Sequence, residues 1–183
     1  MHKYLITSKD FYTRDIEKFC KILTNQIEKH KPTFALFRDK DNGNYAKQAL
    51  CFVEVCKNCE NLKSFIHQDI NLAKKLNANG VHLTSTQFGE IRKAKNLGLD
   101  VIVSTHTKEE ILKAKDLGAD AVTYSPIFLS PDKGEPKGVD DLKEALKLCD
   151  INIFALGGIV GDEHIKILED TKVYGFASIR YFY

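Results

Sequence analysis

The sequence predicts an α/β fold: a single (β/α)8 TIM barrel over residues 1–183 with its eighth helix truncated. Three observations lead there: a repeated helix–strand unit, strand-like runs separated by helical patterns along the chain, and too little chain after the last run for a full helix. The repeat is the most direct. "EIRKAKNLGLDVIV" (Glu90–Val103) and "EILKAKDLGADAVT" (Glu110–Thr123) keep Glu, Ile, Lys, Ala, Lys, Leu, Gly and Asp in register. Each copy reads as a helix with apolar residues at helical spacing, closed by Gly at C′ and followed by a strand. Leucine-rich repeats share such a period, but their L-x-x-L-x-L pattern is absent.

The remaining elements follow the same alternation. Strand-like runs are "KYLIT" (3–7), "TFALFR" (33–38), "KSFIH" (63–67), "GVHL" (80–83), "DVIVS" (100–104), "DAVTYS" (120–125), "NIFALG" (152–157) and "VYGFA" (173–177). Helical patterns lie between them near 13–30, 44–58, 69–77, 86–97, 107–117, 139–148 and 161–169. Thr107 and Glu110 form a capping box at the start of one of these helices. Short buried strands alternating with helices call for parallel βα units, and their number matches a closed barrel, with a doubly wound open sheet as the competitor. After Gly175 only "FASIRYFY" remains. That predicts a bare flank, with a homodimer contact anchored by Tyr181, Phe182 and Tyr183.

The 183 residues are 43% hydrophobic and 28% charged, with 27 basic against 25 acidic side chains. A net charge of +2 from interspersed residues gives no clustered basic face, so nucleic acid is not an expected partner. No apolar run approaches the roughly 20 residues of a membrane span, and "MHKYLITSKDFYTR" has no signal-peptide core. The expected location is the cytoplasm, where the five cysteines would be reduced thiols. Cys51, Cys56 and Cys59 have an iron–sulfur spacing, but their helix, "NYAKQALCFVEVCKNC", also accounts for them as small apolar packing residues.

In such a barrel the site lies at the carboxyl ends of the strands. Those ends carry Arg38, Asp39 and Lys40; His67, Gln68 and Asp69; Thr84 to Gln87; Ser104, Thr105 and His106; Gly157 and Gly158; and Ile179 and Arg180. The loop after the sixth strand, "YSPIFLSPDKGEPKG" (124–138), adds Ser130, Asp132 and Lys133. Its prolines and glycines can neither continue a helix nor pair inside a sheet. Cations, hydroxyls and glycines outnumber carboxylates, the chemistry of an anion site. His82 and His106 read as structural barrel histidines, and His2, His30 and His164 as surface residues.

The segment "VIVSTHTKEEILKAKDLGADAVTYSPIFLSPDKGEPKGVDDL" resembles the thiamin phosphate synthase and thiazole tautomerase family. "FALFRDK", "GVHL" and "FALGGI" resemble three further family segments in the right order, so the likeness spans nearly the whole chain. The resemblance implies a transferase of thiamin biosynthesis, joining a pyrimidine methyl diphosphate to a thiazole phosphate, with Mg²⁺ as the family's metal. Arg38 and Lys40 would approach the diphosphate or pyrimidine, Lys133 the diphosphate, and Ser104 the pyrimidine diphosphate. Ser130 of the loop, with Gly157, Gly158, Ile179 and Arg180, would hold the thiazole phosphate, and His67 and Asp132 would be further substrate-binding residues. Both positions at which the family keeps Mg²⁺-binding Asp are Gln here, Gln68 and Gln87, and Gln is a poor ligand for a hard dication. Leu36 stands where the family has a pyrimidine-contacting Gln. The tautomerase branch keeps an acid/base His where this chain has Pro126. The alternatives are a non-catalytic or repurposed barrel that binds a phosphorylated small molecule, as a regulator or partner subunit, or a thiazole tautomerase-like isomerase.

Overall fold

Short strands rich in branched and aromatic residues pair in parallel, each with the next in sequence, until the last returns to the first. They are β1 (His2–Ile6), β2 (Phe34–Phe37), β3 (Lys63–His67), β4 (Gly80–Leu83), β5 (Asp100–Thr105), β6 (Ala121–Tyr124), β7 (Asn152–Leu156) and β8 (Gly175–Ser178). The computed structural model describes residues 1–39, 41–131 and 133–183, and Lys40 and Asp132 lie outside the described residues. The barrel closes where His2 pairs with Gly175 and Leu5 with Ser178. The open-sheet alternative is therefore excluded. Between the strands run α1 (Ile16–His30), α2 (Tyr45–Lys57), α3 (Ile70–Lys75), α4 (Ile91–Asn96, after a 3₁₀ turn), α5 (Lys108–Asp116), α6 (Gly138–Leu148) and α7 (Asp162–Glu169).

Because side chains alternate along a strand, every second residue points into the barrel. Tyr4, Phe65, Ile102 and Phe154 come from odd strands and fill the interior, all at most 1% exposed. Leu36, His82, Thr123 and Ala177 follow from even strands and are also buried. Nearest the strands' carboxyl ends, Ile6, His67, Ser104 and Leu156 come from odd strands again and line an open cavity. This stacking by alternate strands is the packing of a filled barrel, with the cavity confined to its mouth.

The outer layer explains the repeat. Ile91 and Ala94 of α4 and Ile111 and Ala114 of α5 are all buried against the sheet. Gly98 and Gly118 then adopt φ of +76° and +89°, which lets each helix end and the chain turn directly into a strand. Thr107 Oγ1 accepts from the Glu110 N–H, as a capping box requires, while the Glu110 carboxylate accepts from the N–H of His106, one residue earlier than usual.

Past β8 the described residues form a 3₁₀ turn over Arg180–Phe182 where an eighth helix would begin. Its place is filled by the chain's own aromatics. Phe182 is fully buried and stacks on Phe176 at 5.7 Å, while Tyr183 lies 4.7 Å from Phe11. This corrects the expectation of an exposed aromatic anchor at Phe182: burying a large ring against its own barrel removes it from any partner. A second correction concerns the cysteines. Cys20 of α1 and Cys51 of α2 form a disulfide with Cα atoms 6.4 Å apart, whereas the composition suggested thiols throughout. Cys56 is buried in helix packing and the Cys59 thiol meets the Val55 carbonyl, so the three closely spaced cysteines serve different contacts. His2, His30 and His164 are part-buried rather than fully exposed, with the His2 ring against Tyr174 and the His164 ring against Phe128.

Candidate functional site: the barrel mouth

The loop after β6 is fastened to the end of β7, and glycine makes that possible. Ile127 N–H donates to the Leu156 carbonyl and Phe128 N–H to the Gly157 carbonyl. A Cβ on Gly157 would lie 2.8 Å from Pro126 Cα, and one on Gly158 2.6 Å from the Leu129 carbonyl oxygen. Both glycines also have positive φ, +100° and +72°. Any side chain there would push the loop off the strand. Beside them, Ser178 Oγ donates to the Ile159 carbonyl and accepts from the Tyr181 N–H, tying the ends of β7 and β8 together. Together these contacts bring Ser130, Lys133, Gly157, Gly158, Ile179 and Arg180 to one wall of a cavity of about 580 Å³.

The opposite wall belongs to β2 and β3. Arg38 is held by its backbone N–H, which donates to Thr7 Oγ1, and its side chain enters the cavity beside His67. Its neighbour Asp39 is buried and turned away, in a two-point ion pair with Arg14 at 3.0 Å for both bonds. The Arg14 hydrogen bond holds the Asp39 carboxyl below the ordinary carboxylate range. The Asp39 charge is thus matched outside the cavity, which leaves the Arg38 guanidinium available within it. Burial lowers the pKa of Arg38, but a guanidinium starts so high that it stays charged.

On the floor, Ser104 Oγ is 2.9 Å from His82 Nε2. His106 reaches the rim, with Nδ1 3.3 Å from both the hydroxyl and the carbonyl oxygen of Ser125. It therefore lines the site rather than the barrel core, contrary to its reading from sequence. Of the described residues predicted for the site, Arg38, His67, Ser104, Ser130, Lys133, Gly157, Gly158, Ile179 and Arg180 all line this one cavity. Sequence reasoning missed Ser8, Asp10 and Phe11 after β1, and Ser178 at the end of β8. The same rule that picked the other strand ends, applied to the first strand, would have found the first three.

At the positions the resemblance assigns to the metal, the Gln87 side chain is engaged with Thr84 and with the backbone of Gln68. Gln87 Oε1 accepts from the Thr84 N–H and hydroxyl, and Gln87 Nε2 donates to the Gln68 carbonyl at 3.3 Å. Asp69, the nearest carboxylate, caps α3 by accepting from Leu72 N–H at 2.8 Å. Neither glutamine lines the cavity, and among the described residues no three His, Cys, Asp or Glu side chains gather to hold a metal. A neutral amide bridge joins the β3 and β4 ends where a hard dication would need anionic oxygens. Among the described residues, those at the positions the resemblance assigns to the metal offer Mg²⁺ no anionic oxygen and do not fit it. Leu36 likewise lies below the floor, 1% exposed, and offers the cavity nothing.

With this geometry in view, comparison with known proteins is decisive about kinship. A model of the thiamine monophosphate synthase family matches residues 3–182. The chain belongs to that family. It is 30% identical to a protein of Aquifex aeolicus named "Putative thiamine-phosphate synthase 2", over 98% of this chain and 96% of that one. It is 31% identical to the thiamine-phosphate synthase of Lysinibacillus sphaericus, over 69% of this chain and 64% of that one. The thiamine phosphate pyrophosphorylase of Pyrococcus furiosus has the same fold, with a TM-score of 0.82, 22% identity, and coverage of 97% of this chain and 85% of that chain. An N-acetylmannosamine-6-phosphate 2-epimerase of Clostridium perfringens shares the fold at a TM-score of 0.76 and 14% identity, covering 99% and 87% of the two chains. Among the described residues no helix is long and apolar enough to cross a membrane.

Proposed function

We infer that this chain is a thiamin phosphate synthase-like transferase, joining a pyrimidine methyl diphosphate to a thiazole phosphate at the barrel mouth. The observation that carries the reading is the charge of the cavity. Arg38, Lys133 and Arg180 line it without an ion pair to any described residue, and Asp10 is the one carboxylate among the described lining residues. A site of this kind suits two anionic ligands. Family membership supports the reading of these as the two thiamin precursors.

The chemistry asks for little proton transfer. The bond between the pyrimidine methylene carbon and the diphosphate oxygen breaks, the electron pair leaves with the diphosphate, and the thiazole nitrogen bonds to the carbon. Charge builds on the leaving group, so fixed cations near it lower the barrier. Arg38, just past β2, and Lys133 from the loop would take that role; Lys40, proposed with them from sequence, lies outside the described residues. The N–H groups of Gly157, Gly158 and Ile179–Arg180, with Ser130 and the Arg180 side chain, would hold the thiazole phosphate against the other wall. His67 and Ser104 would contact the pyrimidine. Ile6 and Leu156 give the ring an apolar floor.

A second reading has its own support. The Gln87 amide donates to the Gln68 backbone carbonyl, and two neutral glutamines at the positions the resemblance assigns to Mg²⁺ would suit a barrel that binds a phosphorylated molecule without catalysis. A tautomerase has less support, since Pro126 can transfer no proton. Turnover with both precursors, with and without Mg²⁺, separates these readings. Thiamin phosphate formation that is lost in Lys133→Ala supports the transferase. Tight binding of both precursors with no product under either condition refutes it in favour of the binding protein.

A further inference from the structure

Under the cavity floor two buried polar residues that the transferase chemistry leaves unused, Tyr4 and His82, form a chain that ends at Ser104. The Tyr4 hydroxyl is 2.9 Å from His82 Nδ1, and His82 Nε2 is 2.9 Å from Ser104 Oγ. Tyr4 and His82 are 0% and 3% exposed, while Ser104 opens to the cavity. Tyr4 is otherwise packed against the rings of Phe34, Phe65 and Phe154. Among the described residues its hydroxyl has one hydrogen-bond partner, His82.

The number of protons fixes the direction of the chain. A neutral imidazole has one N–H and one bare nitrogen, and a phenol has one O–H. If Nδ1 carried the proton, it would donate to Tyr4, and the Tyr4 O–H would face hydrocarbon with no acceptor. That forfeits a hydrogen bond in a dry site, where the loss is greatest. The other arrangement satisfies every group: Tyr4 O–H donates to bare Nδ1, and Nε2–H donates to Ser104 Oγ. Burial holds His82 neutral, which preserves the bare nitrogen. Ser104, having accepted from below, keeps its own proton for the cavity.

We propose that Tyr4 and His82 are positioning residues that aim the Ser104 hydroxyl proton into the cavity, so that a bound molecule with an acceptor there is favoured. The acceptor is a phosphate oxygen or an unprotonated ring nitrogen; a ligand with an N–H at that point meets only the second lone pair of Ser104 Oγ and leaves the Ser104 proton without its partner. Naming the acceptor rests on the transferase reading. The direction of the chain does not.

Side-chain nitrogen NMR of the full-length ¹⁵N-histidine-labelled protein at neutral pH reads the tautomer. The expected result is a pure Nε2–H form of His82, giving way to a mixture in Tyr4→Phe. A wild-type Nδ1–H form overturns the proposal, whether or not Tyr4→Phe folds. Calorimetry with thiamin phosphate supplies the second readout. Ser104→Ala and Tyr4→Phe should each weaken binding about 5–30-fold, and the double variant should be no worse than Ser104→Ala alone. His82→Gln should retain affinity, since its amide can accept from Tyr4 and donate to Ser104, whereas His82→Leu should lose it. Additive losses in the double variant, or equal losses in His82→Gln and His82→Leu, contradict a relay. If the wild-type chain binds neither thiamin phosphate nor inorganic diphosphate, the transferase reading fails, and the tautomer alone decides the relay.

Discussion

Acid should destabilise this barrel well before its carboxylates titrate, and His82 should carry an identifiable share of the effect. Burial is the main cause that moves its pKa from 6.5 down to about 3, with smaller contributions from His67 and Arg38. The folded chain therefore keeps His82 neutral across a range in which the unfolded chain binds a proton. Since the unfolded state binds more protons there, stability is full above about pH 6.5 and falls as pH drops toward about 3. For one group with these pKa values the loss between pH 7 and pH 5 is about 1.9 kcal/mol. His2 and His30 are shifted in the same direction, each mainly by burial, so the total slope is steeper than one group gives. Urea unfolding of the wild type and His82→Gln at pH 7, 6 and 5 isolates the His82 share. The wild type should lose about 1.9 kcal/mol more than the variant over that interval. Parallel curves would show that His82 titrates normally and that the description of a dry, neutral barrel interior is wrong.

Lys133→Ala should weaken anion binding by about 1.5–3 kcal/mol, the scale of a charge-assisted hydrogen bond, and calorimetry with unchanged affinity would remove the loop from the site. Phe182→Ala should cost about 3–5 kcal/mol of stability, because its ring replaces the missing helix, and thermal or urea unfolding will measure it. Gly158→Ala should cost more than about 1 kcal/mol and weaken phosphate binding with it, since its Cβ meets the backbone of the Lys133 loop. Replacing Gln68 and Gln87 together by Asp should break the amide bridge and raise Mg²⁺-dependent turnover. No gain would favour the non-catalytic reading.

The barrel was legible in the sequence because its signals are local. Gly98 and Gly118 end their helices by the same left-handed residue, and the Ile and Ala positions of the repeat meet the sheet in both copies. Most of the site followed from one rule about strand ends, and Arg38, Lys133 and Arg180 do converge. What the sequence did not disclose depends on contacts between distant residues. The fate of Phe182 turns on a pocket formed with Phe176 and His30, and the pairing of Cys20 with Cys51 on how α1 and α2 pack. The tie between Gln87 and Gln68 needs two loops 19 residues apart to meet. The Tyr4–His82–Ser104 chain spans the barrel interior, and no sequence spacing reveals it.

The central claim is that one cavity holds two anions on opposite walls, and a crystal structure of the protein soaked with thiamin phosphate and inorganic diphosphate tests it most directly. The account predicts the thiamin phosphate group against Gly157, Gly158, Ser130 and Arg180, with the diphosphate between Arg38 and Lys133. Both ligands bound elsewhere, for instance in the second cavity beside Lys31 and Asn61, with the barrel mouth left to solvent, would contradict it.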